Sequence, residues 1–247
     1  MDSSLVNPPL ICVITVVYNG VSTIERTIKS IIGQTFLNIE YIVIDGGSSD
    51  GTNDVIKKYE SRINYSISEP DLGIYDAMNK GILKSTGEWI IFMNSGDVFS
   101  SENVLFDLSI KIMISNAHII YGNTIIKENN IVIIPPNKIR KSFFLLETIC
   151  HQSVFFNRSV FDIIGLYNLK YKILADREVL LKAIIAKMSF MYVNVEVCVW
   201  ESVGFSLNNL NLFKIEELDL KNTYFSYIEQ IMIRIYKKLS NYIINLA

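Results

Sequence analysis

The stretches ICVITVVYNG (residues 11–20) and IEYIVIDGGSSDGT (residues 39–52) decide the fold of this 247-residue chain. Each begins with a largely apolar run rich in β-branched residues, which is typical of a strand buried on both faces of a sheet. Each then passes through a polar, glycine-containing loop into an amphipathic segment. This order predicts parallel strands that are joined by crossover helices.

The same alternation continues outward and predicts an α/β chain whose mostly parallel central sheet is flanked by helices. A capping box of Ser22 and Glu25 opens the first helix, which runs to about residue 34. The other predicted helices cover residues 52–59, 74–83 and 176–187. The predicted strands cover residues 11–17, 39–44, 63–67, 89–93, 153–156 and 190–195, with a hairpin of 118–126 and 131–134.

Composition excludes several classes of protein. Half of the residues are hydrophobic, 19% are charged and the mean hydropathy is +0.29, which excludes a disordered chain. A net charge of -2 and a pI of about 5.8 disfavour a nucleic-acid partner. The three cysteines, Cys12, Cys150 and Cys198, are too far apart for a metal motif and predict reduced, buried thiols. Motifs of dinucleotide-binding, P-loop, zincin and serine-hydrolase enzymes are absent from the sequence.

The longest charge-free stretch, residues 3–24, is interrupted by Pro8 and Pro9 and therefore predicts no membrane-spanning helix. The first residues contain Asp2 and no basic region, which predicts no signal peptide. We therefore expect a cytoplasmic protein.

Polar loops follow four of the predicted strands, at residues 18–20, 45–51, 69–73 and 94–97. The carboxyl ends of parallel strands meet at one edge of a sheet, where ligands bind in open α/β folds. Asp45 ends a buried strand, so we expect its carboxylate to find a partner such as the imide N–H of a nucleobase. Gly46 and Gly47 allow the backbone to approach a ligand closely.

Each of these polar segments also has a purely structural interpretation. Asp50 or Thr52 can cap the following helix, and the dense segment 69–81 can be a solvated turn and helix face. Asp176, at a helix start, can act only through its charge on that helix. Asp97 is a single carboxylate after a strand, where turns favour Asp in any case.

The runs at residues 14–19, 34–35, 40–52, 68–81 and 94–97 (NSGD) resemble the family 2 glycosyltransferases, which have the GT-A fold. HQSVFF (151–156), YKILADREVLL (171–181) and residues 204–206 extend the resemblance to about residues 10–207. It is closest to the branch with colanic-acid-type surface-polysaccharide transferases. It implies a GT-A catalytic domain over residues 1–210 and a helical extension over 211–247.

The resemblance implies an inverting transfer of a sugar from a nucleotide-diphosphate sugar to an acceptor hydroxyl on a glycan or lipid-linked acceptor, with Mg²⁺ or Mn²⁺. Asp176 matches the general base, and His151 and Gln152 would face the acceptor or the sugar. Asp97 would hold the metal, although many relatives have further acids at the positions of Asn94 and Gly96. The donor-binding residues implied are Thr15, Tyr18, Asn19, Asp45, Gly46, Asp71, Gly73, Asn79 and Ser95.

Two other functions stay open at this point. A nucleotidyltransferase has a similar architecture, but residues 17–22 lack the basic side chains that grip a triphosphate. A catalytically inactive sugar-nucleotide-binding module is supported only by Gly96. The segment 221–247 has apolar residues at helical spacing and a net positive charge, which predicts a helix docked on the catalytic domain or on a dimer partner, or one that lies on a membrane surface.

Overall fold

The protein is described by a computed structural model that covers residues 10–201, 209–232 and 235. Its first half confirms the predicted alternation of strands and helices, with ends that differ from the prediction by at most two residues. The elements are β1 (Ile11–Val17), α1 (Ile24–Ile32), β2 (Ile39–Asp45), α2 (Thr52–Lys57), β3 (Tyr65–Ser68), α3 (Ile74–Lys84) and β4 (Trp89–Phe92).

The second half is less regular. The predicted hairpin, the strand near residue 154 and the helix after residue 175 are confirmed, whereas β5, α4 and α5 were not predicted. The elements are β5 (Val98–Phe99), α4 (Val104–Met113), β6 (Ile119–Ile126), β7 (Ile131–Ile133), β8 (Val154–Asn157), α5 (Ser159–Ile164), α6 (Ala175–Ile185), β9 (Phe190–Trp200) and α7 (Leu210–Tyr224).

All nine strands form one sheet in the order β3-β2-β1-β4-β8-β6-β9-β5, with β7 paired to β6. The strands β3, β2, β1 and β4 are parallel to one another, as predicted. Beyond β4 the sheet is mixed, because β8 runs antiparallel to both β4 and β6 while β9 runs parallel to β6. The expectation of a mostly parallel sheet is thus right for the first half of the chain only.

Helices cover both faces of the sheet, and the side chains of β1 alternate between them. Val13 packs in the apolar cluster that includes residues of α1 and α4, whereas Ile14 packs with those of α3 and α6. Gly81 lets α3 lie close to β1, since a Cβ atom there would be 2.5 Å from Cγ2 of Ile14. The strand ends that carry the polar loops are therefore fixed by a core on each side.

The predicted capping box at the start of α1 is wrong. The helix begins at Ile24, and its cap residue, Thr23, makes no capping hydrogen bond through its side chain. Glu25 instead accepts a hydrogen bond from the hydroxyl of Tyr59 at 2.6 Å and pairs with Lys29 at 3.1 Å.

The C-terminal part of the described chain forms two helices, each with a buried and an exposed side. Leu220 of α7 and Phe225 just after it are buried in the core. Residues 227–232 are helical, and Tyr227, Ile228 and Met232 are each more than 60% exposed there. Residues 204–206 and 236–247 lie outside the described residues. Among the residues that are described, no helix is long and apolar enough to span a membrane.

Candidate active site

The loops after β1 and β2 are joined by direct hydrogen bonds at the carboxyl edge of the sheet. Asn19 donates its backbone N–H to the hydroxyl of Ser48 at 2.7 Å, and its side-chain oxygen accepts the N–H of Ser49 at 3.0 Å. Asp50 accepts the N–H of Thr52 at 3.0 Å and thereby supports the start of α2, as its structural interpretation predicts. Next to these loops, Tyr18 is 68% exposed, so its side chain is accessible to a ligand.

Asp45 has the partners that its burial requires, and they belong to the protein. Its carboxylate has no exposed surface and accepts hydrogen bonds from the backbone N–H of Ser48, at 3.0 Å, and from the hydroxyls of Ser48 and Ser68. Contact with a nucleobase would require these serines to release a carboxylate oxygen. The recognition of the base by Asp45 stays a prediction.

Gly46 permits a close approach, but the group that approaches is Asp71. A Cβ atom on Gly46 would lie 2.5 Å from Oδ2 of Asp71, so the loops after β2 and β3 pack in contact. Asp71 also accepts the N–H of Gly73 at 2.8 Å. Gly73, whose φ of 116° favours glycine, is exposed at the start of α3 with open space beside it.

Two of the predicted donor-binding residues serve the core instead. Thr15 is fully buried, and its hydroxyl oxygen accepts a hydrogen bond from Tyr41 at 3.2 Å, so it has no surface for a ligand. Asn79 donates to the carbonyl of Tyr167 and accepts its N–H, both at 2.9 Å. The amide nitrogen and the amide oxygen of Asn79 thus both bind the backbone of Tyr167, which joins α3 to the chain before α6.

The NSGD turn after β4 is held from α1. Thr27 accepts the N–H of Gly96 at 2.9 Å and donates to the carbonyl of Asp97 at 2.8 Å. The hydroxyl of Ser95 lies 2.9 Å from that of Thr23. Gly96 has a φ of 110°, which disfavours any side chain there. The positive φ of Gly96 therefore explains why a glycine stands where many relatives have an acid.

Asp97 is 6% exposed, and both of its carboxylate oxygens are bonded. Oδ2 accepts the side-chain N–H of Gln152 at 2.6 Å, and Oδ1 accepts the backbone N–H of Glu201 at 3.3 Å. Burial is the main cause that raises the pKa of Asp97 to about 6. Gln152 is itself only 4% exposed and donates to Asp97, and its contact with an acceptor stays a prediction.

These residues do not fit the metal site that the resemblance implies. The described residues contain no group of three or more His, Cys, Asp or Glu side chains that could hold a metal ion. Each oxygen of Asp97 already accepts one hydrogen bond, and the nearby amide oxygen of Asn94, which is buried and unpartnered, is a single neutral ligand.

Asp176, in the first turn of α6, lies at the centre of a short chain of hydrogen bonds. Its Oδ2 is 3.3 Å from Nδ1 of His151, and its Oδ1 is 3.3 Å from the hydroxyl of Tyr75. Nε2 of His151 is 2.9 Å from the amide nitrogen of Asn94, which can only donate. In the tautomer with its proton on Nδ1, His151 donates to Asp176 and accepts from Asn94.

The other charged residues near Asp176 have structural partners. Glu178 is 1% exposed and bonded to the hydroxyl of Tyr224 at 2.6 Å, so it has no access to a substrate. Arg177 is also buried and lies 3.6 Å from Glu217 of α7, and desolvation lowers the pKa of its guanidinium. Asp176, with a side chain 15% exposed, is the carboxylate of this turn that solvent reaches.

The sequence interpretation missed Tyr75 and Glu201. Tyr75 lies within the run 68–81, but its contact with a residue 101 positions away leaves no local signal. Glu201 follows the end of β9, so the rule applied to the other strand ends could have found it. Ion pairs with Arg26 and Lys127 lower the pKa of Glu201 to about 2, with the hydrogen bond from Arg26 as the largest cause.

Residues 12–165 match the family described as Glycosyl transferase family 2. The chain belongs to this family. It is 34% identical over 184 residues to an uncharacterized glycosyltransferase of Mycobacterium tuberculosis (strain CDC 1551 / Oshkosh), covering 72% of this chain and 70% of the relative. It is 30% identical over 172 residues to a PGL/p-HBAD biosynthesis glycosyltransferase of Mycobacterium bovis (strain BCG / Pasteur 1173P2), covering 68% and 67% of the two chains.

Solved structures share the GT-A fold with this glycosyl transferase family 2 member. Staphylococcus aureus TarS 1-349 in complex with UDP-GlcNAc superposes with a TM-score of 0.67 at 15% identity, covering 79% of this chain and 59% of that one. The mannosyltransferase PcManGT from Pyrobaculum calidifontis, in complex with GDP-Man and Mn²⁺, gives a TM-score of 0.65 at 16% identity, covering 83% and 61%. The chain spans 38% of a longer TarS structure that it also matches.

Proposed function

We propose that this family 2 glycosyltransferase transfers a sugar, with inversion, from a nucleotide-diphosphate sugar to an acceptor hydroxyl. The observation that carries the proposal is the solvent-accessible carboxylate of Asp176, which Tyr75 and His151 hold by hydrogen bonds from α3 and from the segment before β8. His151 also contacts Asn94 at the end of β4, so the carboxylate is tied to the strand-end loops.

Asp176 acts as the general base of the reaction. Its carboxylate takes the proton of the acceptor hydroxyl while the hydroxyl oxygen attacks the anomeric carbon of the donor. The bond from that carbon to the nucleoside diphosphate breaks in the same displacement, which inverts the anomeric configuration. His151 lies 3.3 Å from Oδ2 of Asp176, whereas Oδ1 lies 2.7 Å from the backbone nitrogen of Arg177 and 3.3 Å from the hydroxyl of Tyr75. The acceptor hydroxyl would therefore bind to a remaining lone pair of this carboxylate.

The relatives support the substrate classes without choosing a donor. The two structural relatives contain UDP-GlcNAc and GDP-Man, which share the diphosphate but differ in base and sugar. The mycobacterial relative takes its name from PGL/p-HBAD biosynthesis. We infer an acceptor that is lipid-linked or part of a growing surface glycan.

A panel of labelled nucleotide-diphosphate sugars, each tested for binding and for transfer to glycan and lipid-linked acceptors, tests the proposal. One donor is expected to bind and to give a product with inverted configuration. Exchange of pyrophosphate into a nucleoside triphosphate would favour a nucleotidyltransferase instead. Binding with no turnover on any acceptor would favour an inactive binding module.

The cofactor, Mg²⁺ or Mn²⁺, stays a prediction. The Mn²⁺ in the mannosyltransferase structure supports it, and the two occupied oxygens of Asp97 oppose it. Donor binding by metal-free protein, measured before and after Mn²⁺ is added, tests it: binding that tightens with Mn²⁺ supports the cofactor, and binding that does not change contradicts it.

We also propose that the helical residues after α7 contact an anionic membrane surface. Ile228, Met232 and Ile235 are each more than half exposed, on a short helix whose other side is held by buried Gln230. This contact would bring the enzyme to a lipid-linked acceptor. Full-length protein is expected to co-sediment with anionic vesicles at low salt, and a variant that ends at residue 226 is not. Equal sedimentation of both would contradict the proposal, and a dimer that dissociates on this truncation would favour a homodimer contact.

A further inference from the structure

The segment that leads into α6 is held by a side chain from α7. The carboxylate of Glu216 accepts three successive backbone N–H groups, from Lys172 at 2.6 Å, Ile173 at 2.9 Å and Leu174 at 3.0 Å. Leu174 is the cap residue of α6, and it makes no capping hydrogen bond through its own side chain. A residue more than forty positions later in the chain thus binds the three backbone N–H groups that directly precede the first turn of α6.

This carboxylate is built into the protein interior. Glu216 is 5% exposed, and its two oxygens share the three N–H groups, so its charge is balanced by backbone dipoles. Hydrogen bonds to a charged acceptor are stronger than neutral ones, and a buried carboxylate that lost them would be costly. The three N–H groups are therefore fixed relative to α7.

The other side of the same segment faces the catalytic carboxylate. The hydroxyl of Tyr75 donates to the carbonyl of Ile173 at 2.6 Å and also lies 3.3 Å from Oδ1 of Asp176. Glu216 holds the N–H of Ile173, and Tyr75 binds its carbonyl. A shift of this peptide would move both the start of α6 and the contact of Tyr75 with Asp176.

We propose that Glu216 is a positioning residue for Asp176, so that α7 belongs to the catalytic unit. This inference rests on the proposed function, because it assigns Asp176 the role of base. It places the functional boundary beyond residue 210 and beyond residue 165, where the match to the family ends. Small displacements of a base relative to the reacting atoms reduce rates strongly. The same segment reaches the donor loops through the long side chain of Lys172, whose Nζ donates to the carbonyl of Leu72 at 3.1 Å.

The test compares Glu216→Gln, Glu216→Asp and the wild type. In Glu216→Gln the amide keeps one acceptor oxygen and turns N–H groups toward the donors of Lys172 to Leu174. We expect kcat, normalised to the amount of protein that binds donor, to fall about tenfold, and we expect the donor Kd to change less than twofold. Hydrogen exchange at the amides of residues 172–174 should become faster. Glu216→Asp, which keeps the charge, should recover part of kcat.

Asp107→Asn is the control, because it removes an exposed charge on α4, which packs on the opposite face of the sheet from α6. Its kcat should equal that of the wild type. If Glu216→Gln fails to bind donor, Glu216→Asp decides: reduced kcat with intact donor binding supports the inference, and wild-type kcat overturns it. Wild-type kcat or unchanged exchange in a folded Glu216→Gln also overturns it. Absence of transfer in the wild type would instead contradict the proposed function.

Discussion

The two sides of the candidate site are held in different ways. The donor loops after β1, β2 and β3 bond mainly to each other: Asn19 to Ser48 and Ser49, and Asp45 to Ser48 and Ser68. The base support around Asp176 draws on distant parts of the chain, namely Tyr75, His151 and, in our proposal, Glu216 of α7. Donor binding and sugar transfer should therefore be separable by mutation.

The sharpest separation is expected from Asp176→Asn. The amide keeps the shape of the side chain but removes the basic oxygen, so transfer should fall at least about 100-fold. The donor Kd should stay at its wild-type value, because the donor loops are untouched. Asp162→Asn, an exposed acid on α5, is the control and should change neither quantity. Transfer retained by Asp176→Asn would leave Asp176 with only its structural role at the helix start.

The opposite separation is expected from Asp45→Asn. One of the Ser48 and Ser68 donors would then face an N–H group in a buried site, which should reduce the free energy of unfolding by about 1–3 kcal/mol. Donor affinity should fall with it, because the loop loses its organising acceptor. Urea unfolding and donor titration measure the two effects. Asp54→Asn, an exposed acid on α2, should match the wild type in both; an unchanged donor Kd in Asp45→Asn would refute the role of this residue in the donor site.

A smaller effect on the acceptor side is expected from His151. His151→Ala removes the donor to Asp176 Oδ2, so transfer per bound donor should fall about tenfold. His151→Asn places an amide nitrogen near the former Nδ1 and should restore most of the rate. Single-turnover measurements at saturating donor distinguish the two. Equal rates for the alanine variant and the wild type would show that Tyr75 alone is sufficient.

The smallest expected effect concerns Asp97, which connects β4 to Gln152 and Glu201. The pKa of Asp97 is about 6 in the folded chain, whereas that of an ordinary aspartate is 3.8. The folded chain therefore stays protonated at this carboxyl group to a higher pH than the unfolded chain does. Stability from this group is therefore present below pH 4 and is lost as the pH rises through 6. Between pH 5 and 7.5 the loss should be about 1 kcal/mol. Urea unfolding of the wild type and Asp97→Asn should show this pH dependence in the former only; parallel curves would contradict it.

The sequence predicts the first half of the fold well, because its signals are local. Each of β1 to β4 is an apolar run with a polar loop directly after it, and the parallel order follows from the crossover helices. The mixed half depends on the pairing of β8 with β4, more than sixty positions apart, which no local pattern encodes. In α4 the apolar residues alternate with Asp107, Ser109 and Lys111, so period two competes with the helical period.

The candidate site divides in the same manner. Asp45, Asp97 and Asp176 stand out in the sequence because each is an acid beside an apolar run, and all three lie at element ends. What each contacts was not predictable: Asn79 looks like a donor ligand but binds the backbone of Tyr167, 88 positions away. Glu216 carried no signal, since a glutamate within an amphipathic helix resembles any solvated charge.

The distance along the chain between α6 and its support has a consequence for synthesis on the ribosome. The hydrogen bonds that join the donor loops after β1, β2 and β3 lie within the first 73 residues, but the N–H of Leu174 binds Glu216, 42 residues later. If Glu216 positions the base, a growing chain can retain a nucleotide sugar before it is able to use it. Acquisition of activity would then be a late event in translation, separated in time from acquisition of donor affinity.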